Sequence, residues 1–372
     1  MRIACIYWYT SSVGGIATHL NSLRTAAIRE GDQFDILHTR PWKTKRPQVF
    51  KTRQWVRGGD TRIWIDGEFS HDPSRVQESI KWLEQNYDAI LFGFICPHKR
   101  KDYPKPLFLP IYDVDLPKAA WVMDGYWHAY SEWAEPLLGR LSGVLCPQES
   151  YASPLRELGY KKLVISPFPF VPFLGKRLPK DETPLLAWTN QWKDIKGIGH
   201  FLKIVPKIPP RVQIEMYSNG IRYYQFRTED FWRGAVREDK FQGYNGTGRA
   251  TFFGNVDLPE IIRVYQRAWF TCNLQGMTAK NSTYKLGSYN NTEVEALYYG
   301  ACPILHSSSR LTAIPKEVYQ SVDSADEIPD TICRSLKSGF ALDEERREKA
   351  REFVIRKHLA SSRYKDVREL LQ

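Results

Sequence analysis

NNTEVEALYYGACPIL, residues 290–305, passes from a helical pattern to a strand pattern within one short stretch. Asn291 or Thr292 suits a helix N-cap, and Glu293 and Glu295 put negative charge in the first turn. The apolar run after Gly300 reads as a buried strand. A helix N-terminus offers unpaired N–H groups and about half a positive charge, so an anionic ligand such as a diphosphate can sit there. Glu295, one turn in, is placed to accept hydrogen bonds from a ribose. The same letters also have a plainer reading, in which Glu295 only favours the helix dipole and Gly300 only ends the helix.

At 372 residues, with 42% hydrophobic and 26% charged residues, the chain can bury two ordinary cores, and nothing in its composition points to disorder. The first eight residues form a strand-length apolar run, too short for a signal-peptide core, and no apolar stretch approaches the length of a membrane span. A soluble cytoplasmic protein is expected. Six cysteines (Cys5, Cys96, Cys146, Cys272, Cys302 and Cys333) lack metal-like pairing, so buried thiols in a reducing compartment are expected and no metal site is. The net charge of +11 points to an anionic partner surface such as nucleic acid or membrane.

From the N-terminus, a strand over 3–8 runs into a turn containing Gly14 and Gly15, after which Ile16, Leu20, Leu23 and Ala27 fall on one helical face. A tight turn explains the two glycines as well as close ligand approach does, since the full Gly-x-Gly-x-x-Gly spacing is absent. Apolar runs at 34–37, 89–94, 119–123, 143–146 and 163–165 alternate with polar or helical segments, which argues for a parallel sheet with crossovers. The proline-rich segment 166–173 reads as an interdomain linker. Beyond it the pattern begins again. Strands are predicted at 185–188, 212–217, 251–253, 270–274 and 302–305, helices at 198–205, 259–268 and 291–299, and a charged helical tail over 343–371.

Glu295-Ala296, the small Gly300 and then Pro303-Ile304 resemble the donor-binding signature of retaining glycosyltransferases with the GT-B fold. That resemblance implies an α/β protein of two Rossmann-like domains facing a cleft. The implied boundaries are an acceptor domain over 1–170, a nucleotide-sugar donor domain over 171–350, and a C-terminal helix over 351–372 that crosses back to the first domain. The signature carries a second glutamate eight positions earlier, where this chain has Gly287; that carboxylate normally holds the donor sugar. Lys196-Gly197 resembles the family's Lys-Gly, whose lysine neutralises the donor diphosphate together with an arginine five residues earlier. Here that earlier position is Gln191, and Lys193 is the candidate for the second charge, although a lysine cannot reproduce a bidentate arginine.

Taken in order, residues 252–255, 258–267, 292–303 and 348–353 are similar to bacteriophage DNA α-glucosyltransferases, thinly over the first domain and more fully over the second. Those enzymes move glucose from UDP-glucose to hydroxymethylcytosine in duplex DNA with retention of configuration, and they also lack the earlier glutamate. The resemblance implies a UDP-sugar donor, UDP-glucose foremost. It implies hydroxymethylated double-stranded DNA as acceptor, a location in the host-cell cytoplasm if the chain is viral, and a monomer. It also carries the family's strand-end His-Asp pair onto Met123-Asp124, so Asp124 is the candidate catalytic carboxylate that orients or assists the attack, while Lys196 stabilises the charge growing on the leaving UDP. Asp113, Asp115 and His128 are rivals, and a strand-end aspartate is also a common cap or turn former.

For the acceptor, residues 40–62 carry Arg46, Lys51, Arg53 and Arg57 among other cations, with Trp42, Phe50 and Trp55 interleaved and only Asp60 against them. Cations contact phosphates, and aromatic rings stack on bases or wedge between them. Lys99 and Arg100 add a second cluster, and 222–249 reads as an insertion serving as lid or DNA contact. Two other classes share parts of this pattern. One is a cytosolic transferase acting on a lipid or polysaccharide, although 40–62 lacks the period of an amphipathic membrane helix. The other is a non-catalytic DNA-binding protein on the same scaffold.

Overall fold

The computed structural model describes residues 1–7, 15–39, 53–54, 61–65, 73–93, 112–122, 139–157, 159–172, 178–190, 197–217, 250–254, 256, 258–274, 291–307 and 314–372. These fall into two compact units, Met1–Val171 with His358–Gln372, and Pro172–Lys357. The strands are β1 (Arg2–Tyr7), β2 (Gln33–Thr39), β3 (Arg53–Gln54), β4 (Thr61–Ile65), β5 (Ala89–Phe92), β6 (Lys118–Trp121), β7 (Gly143–Cys146), β8 (Leu163–Ile165), β9 (Leu185–Trp188), β10 (Gln213–Tyr217), β11 (Ala250–Gly254), β12 (Phe270–Asn273), β13 (Cys302–His306) and β14 (Gln320–Val322). The helices are α1 (Gly15–Arg29), α2 (Pro73–Asn86), α3 (Glu149–Glu157), α4 (Ile198–Ile204), α5 (Leu258–Arg267), α6 (Asn291–Tyr298), α7 (Ile328–Ser338), α8 (Glu344–His358) and α9 (Ala360–Leu371).

The first unit is built on an eight-stranded sheet in the order β3-β4-β2-β1-β5-β6-β7-β8. Strands β5 and β7 are apolar and buried at every position because crossovers cover both faces of the sheet. The pairs are parallel except β3 against β4, where Arg53 faces Arg62 across an antiparallel bridge. Part of the basic stretch is therefore sheet edge, a place where charged side chains deter unwanted strand pairing.

The C-terminal helix α9 belongs to this first unit. Tyr364, Val367 and Leu371 recur at helical spacing and are buried. A Cβ added to Gly143 on β7 would stand 2.5 Å from Leu370 Cδ2, so the helix rests directly on strand backbone there. The Tyr364 hydroxyl donates to Asp32 Oδ2 at 2.6 Å, and the N-terminal ammonium donates to Oδ1 at 2.6 Å. Burial works against the Asp32 charge, but the ammonium and the Tyr364 hydroxyl hold the carboxyl below its usual range.

The tail expected to be helical over 343–371 breaks at Leu359, which lies at φ −58° and ψ 125° between α8 and α9. The break is filled by the proline-rich segment, whose Phe170 N–H donates to His358 O at 2.6 Å while its carbonyl accepts from Ala360 N–H at 2.9 Å. Two carbonyl and amide groups orphaned by the helix break are thereby paired.

The second unit carries a six-stranded, all-parallel sheet in the order β11-β10-β9-β12-β13-β14. Trp188, Phe201, Phe270, Ile304 and Ile328 fill its core, each contributing about 2–3 kcal/mol by removal from water. Two cations are also built into this interior. Arg346 donates to the carbonyls of Phe340, Val318, Gly300 and Ala341 at 3.0–3.1 Å. Lys180 Nζ donates to Tyr265 O and Ala268 O at 3.0 and 2.6 Å, and to Tyr299 O at 3.4 Å. Lys180 thus caps the C-terminal ends of both α5 and α6, where a positive charge meets the negative pole of each helix. Among the described residues no helix is long and apolar enough to cross a membrane.

Candidate functional site

In the second unit the chain lays β9 first, adds β10 and β11 on one side, and then crosses to place β12 on the other. The carboxyl ends of β9 and β12 therefore flank the switch point of the sheet, where α/β folds bind ligands. Thr189 and Asn190 follow β9, Asn273 ends β12, and α6 starts above them. Polar side chains that would be out of place in a core gather at this pole. Asn190 is 5% exposed, Asn273 6%, Glu293 2% and Glu295 8%.

Asn190, Asn273 and Glu293 are anchored. Asn190 Nδ2 donates to Cys272 O at 3.0 Å, and its backbone carbonyl accepts from Trp188 Nε1 at 3.1 Å. The free end of its side chain, Oδ1, accepts from Thr292 Oγ1 at 3.3 Å. Asn273 Nδ2 donates to Glu293 Oε1. Tyr265 from α5 is fully buried, and its hydroxyl donates to Thr189 Oγ1 at 3.0 Å. Burial pushes Glu295 up to about 8; the Tyr265 hydroxyl opposes this and the charge of Glu293 adds to it. Burial also drives the Tyr265 phenol well above its ordinary range, reinforced by Glu295.

Helix α6 spans Asn291–Tyr298, and Thr292 in its first turn brackets the end of β9. Glu293, read from sequence only for its charge, is tied to β12. The site thus offers acceptor oxygens for sugar or ribose hydroxyls beside the N–H groups of a helix start, an arrangement able to hold a nucleoside diphosphate.

Of the other sequence candidates, Gly15 starts α1 and Arg53 lies in β3. Gly14, Asp124, Gln191, Lys193, Lys196, Arg46, Lys51, Arg57, Lys99 and Arg100 lie outside the described residues. Thr189, Asn190, Tyr265 and Asn273 were not anticipated; the one local signal was a polar residue closing an apolar strand run, as Asn273 closes β12. Among the described residues no group of three or more His, Cys, Asp or Glu side chains is gathered as metal ligands would be. A cavity of about 170 Å³ lies at the other end of α6, lined by Lys180, Gln266, Tyr298 and Arg351 among others.

No family model matches the sequence, and no curated protein matches it. Solved structures match it in fold. Anabaena Alr3699/HepE in complex with UDP-glucose aligns with a TM-score of 0.63 at 10% identity, over 100% of this chain and 99% of that one. An α-glucosyltransferase in complex with UDP and a 13-mer DNA containing an HMU base aligns with a TM-score of 0.66 at 13% identity, over 99% of each chain. The apo form of the lipopolysaccharide outer core galactosyltransferase WaaB aligns with a TM-score of 0.61 at 14% identity, over 100% of this chain and 99% of that one. The chain has the GT-B fold, as the resemblance implied.

Proposed function

We propose that the protein is a UDP-sugar-dependent glycosyltransferase. In this reading it moves glucose to the hydroxymethyl group of a 5-hydroxymethylpyrimidine, hydroxymethylcytosine foremost, in double-stranded DNA with retention of configuration. The observation that carries the donor half is the buried polar pole at the β9–β12 switch point, with Glu295 and the start of α6 side by side. The acceptor half rests on the net charge of +11 and the basic, aromatic stretch 40–62, and is supported by the α-glucosyltransferase of the same fold solved with UDP and DNA.

In this reading the ribose hydroxyls donate to Glu295, while the α6 N–H groups, Lys196 and Lys193 hold the diphosphate beside Gln191. Gly14 and Gly15 let backbone approach the transferred sugar. The acceptor oxygen forms its bond to the anomeric carbon on the face from which the diphosphate leaves. Its proton passes to the departing phosphate oxygen, giving UDP and an α-linked product. Fixed cations and N–H groups stabilise the charge growing on the diphosphate, and such preorganised stabilisation usually does more than any other single effect to speed a transfer of this kind. Asp124 orients the acceptor hydroxymethyl group, and a base swung out of the duplex brings that group to the sugar.

The donor half is tested by calorimetry with UDP. Glu295→Ala and Lys196→Ala should each weaken binding by about 1.5–3 kcal/mol, the worth of a hydrogen bond to a charged group, and Lys196→Ala should also slow transfer. UDP affinity unchanged in both variants would remove the site assignment. Transfer to a lipid or polysaccharide is the second reading, favoured by one observation, the shared fold of the lipopolysaccharide galactosyltransferase.

A further inference from the structure

The cavity of about 170 Å³ at the C-terminal end of α6 is built from the second unit alone. Cations crowd it. Lys180 lines it together with Arg347 and Arg351 of α8, and Arg346 donates to the carbonyl of Gly300 in its wall. Arg347 and Arg351 stand one turn apart on the same helix, a like-charge spacing that weakens an isolated helix. Glu344 also lines the cavity and accepts from Arg347 Nη2, and Glu348 accepts from Arg351 Nη1. These carboxylate side chains are 70% and 50% exposed, so the two pairs offset little of the crowding.

The donors here are positioned but not used up. A Cβ added to Gly300 would stand 3.1 Å from Arg347 Cδ, so the stem of Arg347 is seated against backbone. The Nε atoms of Arg347 and Arg351 are buried and have no hydrogen-bond partner, a costly state that a bound acceptor would relieve. Gln266 is buried and gives its Oε1 to the Leu178 N–H at 3.3 Å, which leaves its amide N–H groups as donors in the wall it forms. Lys180 spends its three protons on the carbonyls of Tyr265, Ala268 and Tyr299, so it supplies charge without a contact. Burial, with Arg347 and Arg346 close by, drives its ammonium well below the ordinary range, and a bound anion would oppose that.

Size and shape narrow the ligand. The cavity of about 170 Å³ equals roughly five or six waters at about 30 Å³ each, and lies below the ~300 Å³ at which drug-sized sites begin. A phosphate group fits and a nucleotide does not. Forked guanidinium donors match phosphate oxygens. Glu344, Glu345 and Glu348, all exposed on the first turns of α8, repel an anionic bilayer, which favours a small soluble phosphate as the occupant.

We propose that this cavity is an anion site distinct from the candidate donor site, binding the phosphate group of a small soluble molecule between Arg347, Arg351 and Gln266. None of these three residues belongs to the pole at the β9–β12 switch point, so the proposal does not depend on the reading of that pole.

The test titrates inorganic phosphate into the full chain by calorimetry, at an ionic strength held constant with chloride and with UDP in excess to fill the donor pole. The wild type should bind phosphate saturably. Arg351→Gln should weaken that binding roughly tenfold, the scale of a lost hydrogen bond to a charged group, with UDP affinity unchanged. Arg347→Gln combined with Arg351→Gln should abolish it, and phosphate should then raise the melting temperature of the wild type but not of the double variant. No phosphate binding by the wild type, or wild-type phosphate affinity in the double variant, would overturn the proposal. Parallel loss of UDP and phosphate binding would reduce the arginines to a structural role and overturn it too. If the double variant does not fold, Arg351→Gln decides. A protein that binds phosphate through these arginines but binds no UDP would uphold this site and overturn the donor reading.

Discussion

A Cβ built on Gly197 would stand 2.4 Å from the Cβ of Leu274 and 2.7 Å from its carbonyl oxygen. Gly197 also holds a left-handed φ of 77° where it caps α4. Gly197 therefore stands against the end of β12 so tightly that only hydrogen fits, which gives a physical reason for the glycine after Lys196. Gly197→Ala adds left-handed strain to a steric overlap with backbone, and should cost about 2–5 kcal/mol. Urea unfolding measures it; a wild-type midpoint would contradict the close approach.

Glu295 makes stability depend on pH in an unusual direction. Its carboxyl titrates at about 8 in the folded protein, against 4.5 for the unperturbed group. Between those values the folded state holds more protons than the unfolded one, so stability is full below the lower value and falls as pH rises through the window. The loss approaches about 1.4 kcal/mol per pH unit inside it. Glu295→Gln abolishes this linkage, and its melting temperature relative to wild type should rise steadily from pH 5 to pH 8. A constant difference across that range would show that Glu295 titrates normally.

The fold was legible where burial acts on both faces of a strand. Runs such as 143–146 and 185–188 have no alternation to confuse with a helix, and they appear as β7 and β9. Strand β4, next to the edge strand β3 and with Arg62 inside it, carries too mixed a pattern to stand out from the basic stretch around it. The helix break at Leu359 has no helix-breaking residue of its own, because the group that stabilises it, Phe170, comes from far away in the chain. At the site, Thr292 and Glu295 could be read from a helix start. The partner of Thr292 could not, since Asn190 lies 102 residues away, nor could the Thr189–Tyr265 pair, 76 residues apart, and only the folded sheet joins them.

The basic stretch makes its own prediction. If residues 40–62 follow a phosphate backbone, neutralising Arg46, Lys51 and Arg53 together should lower the salt slope of DNA binding by roughly 3, about one per lost contact, with UDP affinity intact. The slope is read from binding isotherms over a series of salt concentrations. A triple variant with the wild-type slope would return these cations to solvent.

The central claim is transfer to a hydroxymethylated base, and one experiment addresses it directly. The protein is given labelled UDP-glucose with hydroxymethylcytosine DNA, hydroxymethyluracil DNA, unmodified DNA and a lipid extract in parallel, and the digested products are resolved by mass. The account predicts label on hydroxymethylpyrimidine DNA as an α-linked hexose and none on unmodified DNA, whose cytosine and thymine carry no hydroxyl at C5 to act as nucleophile. Label in the lipid extract alone, or no transfer at all, would contradict it.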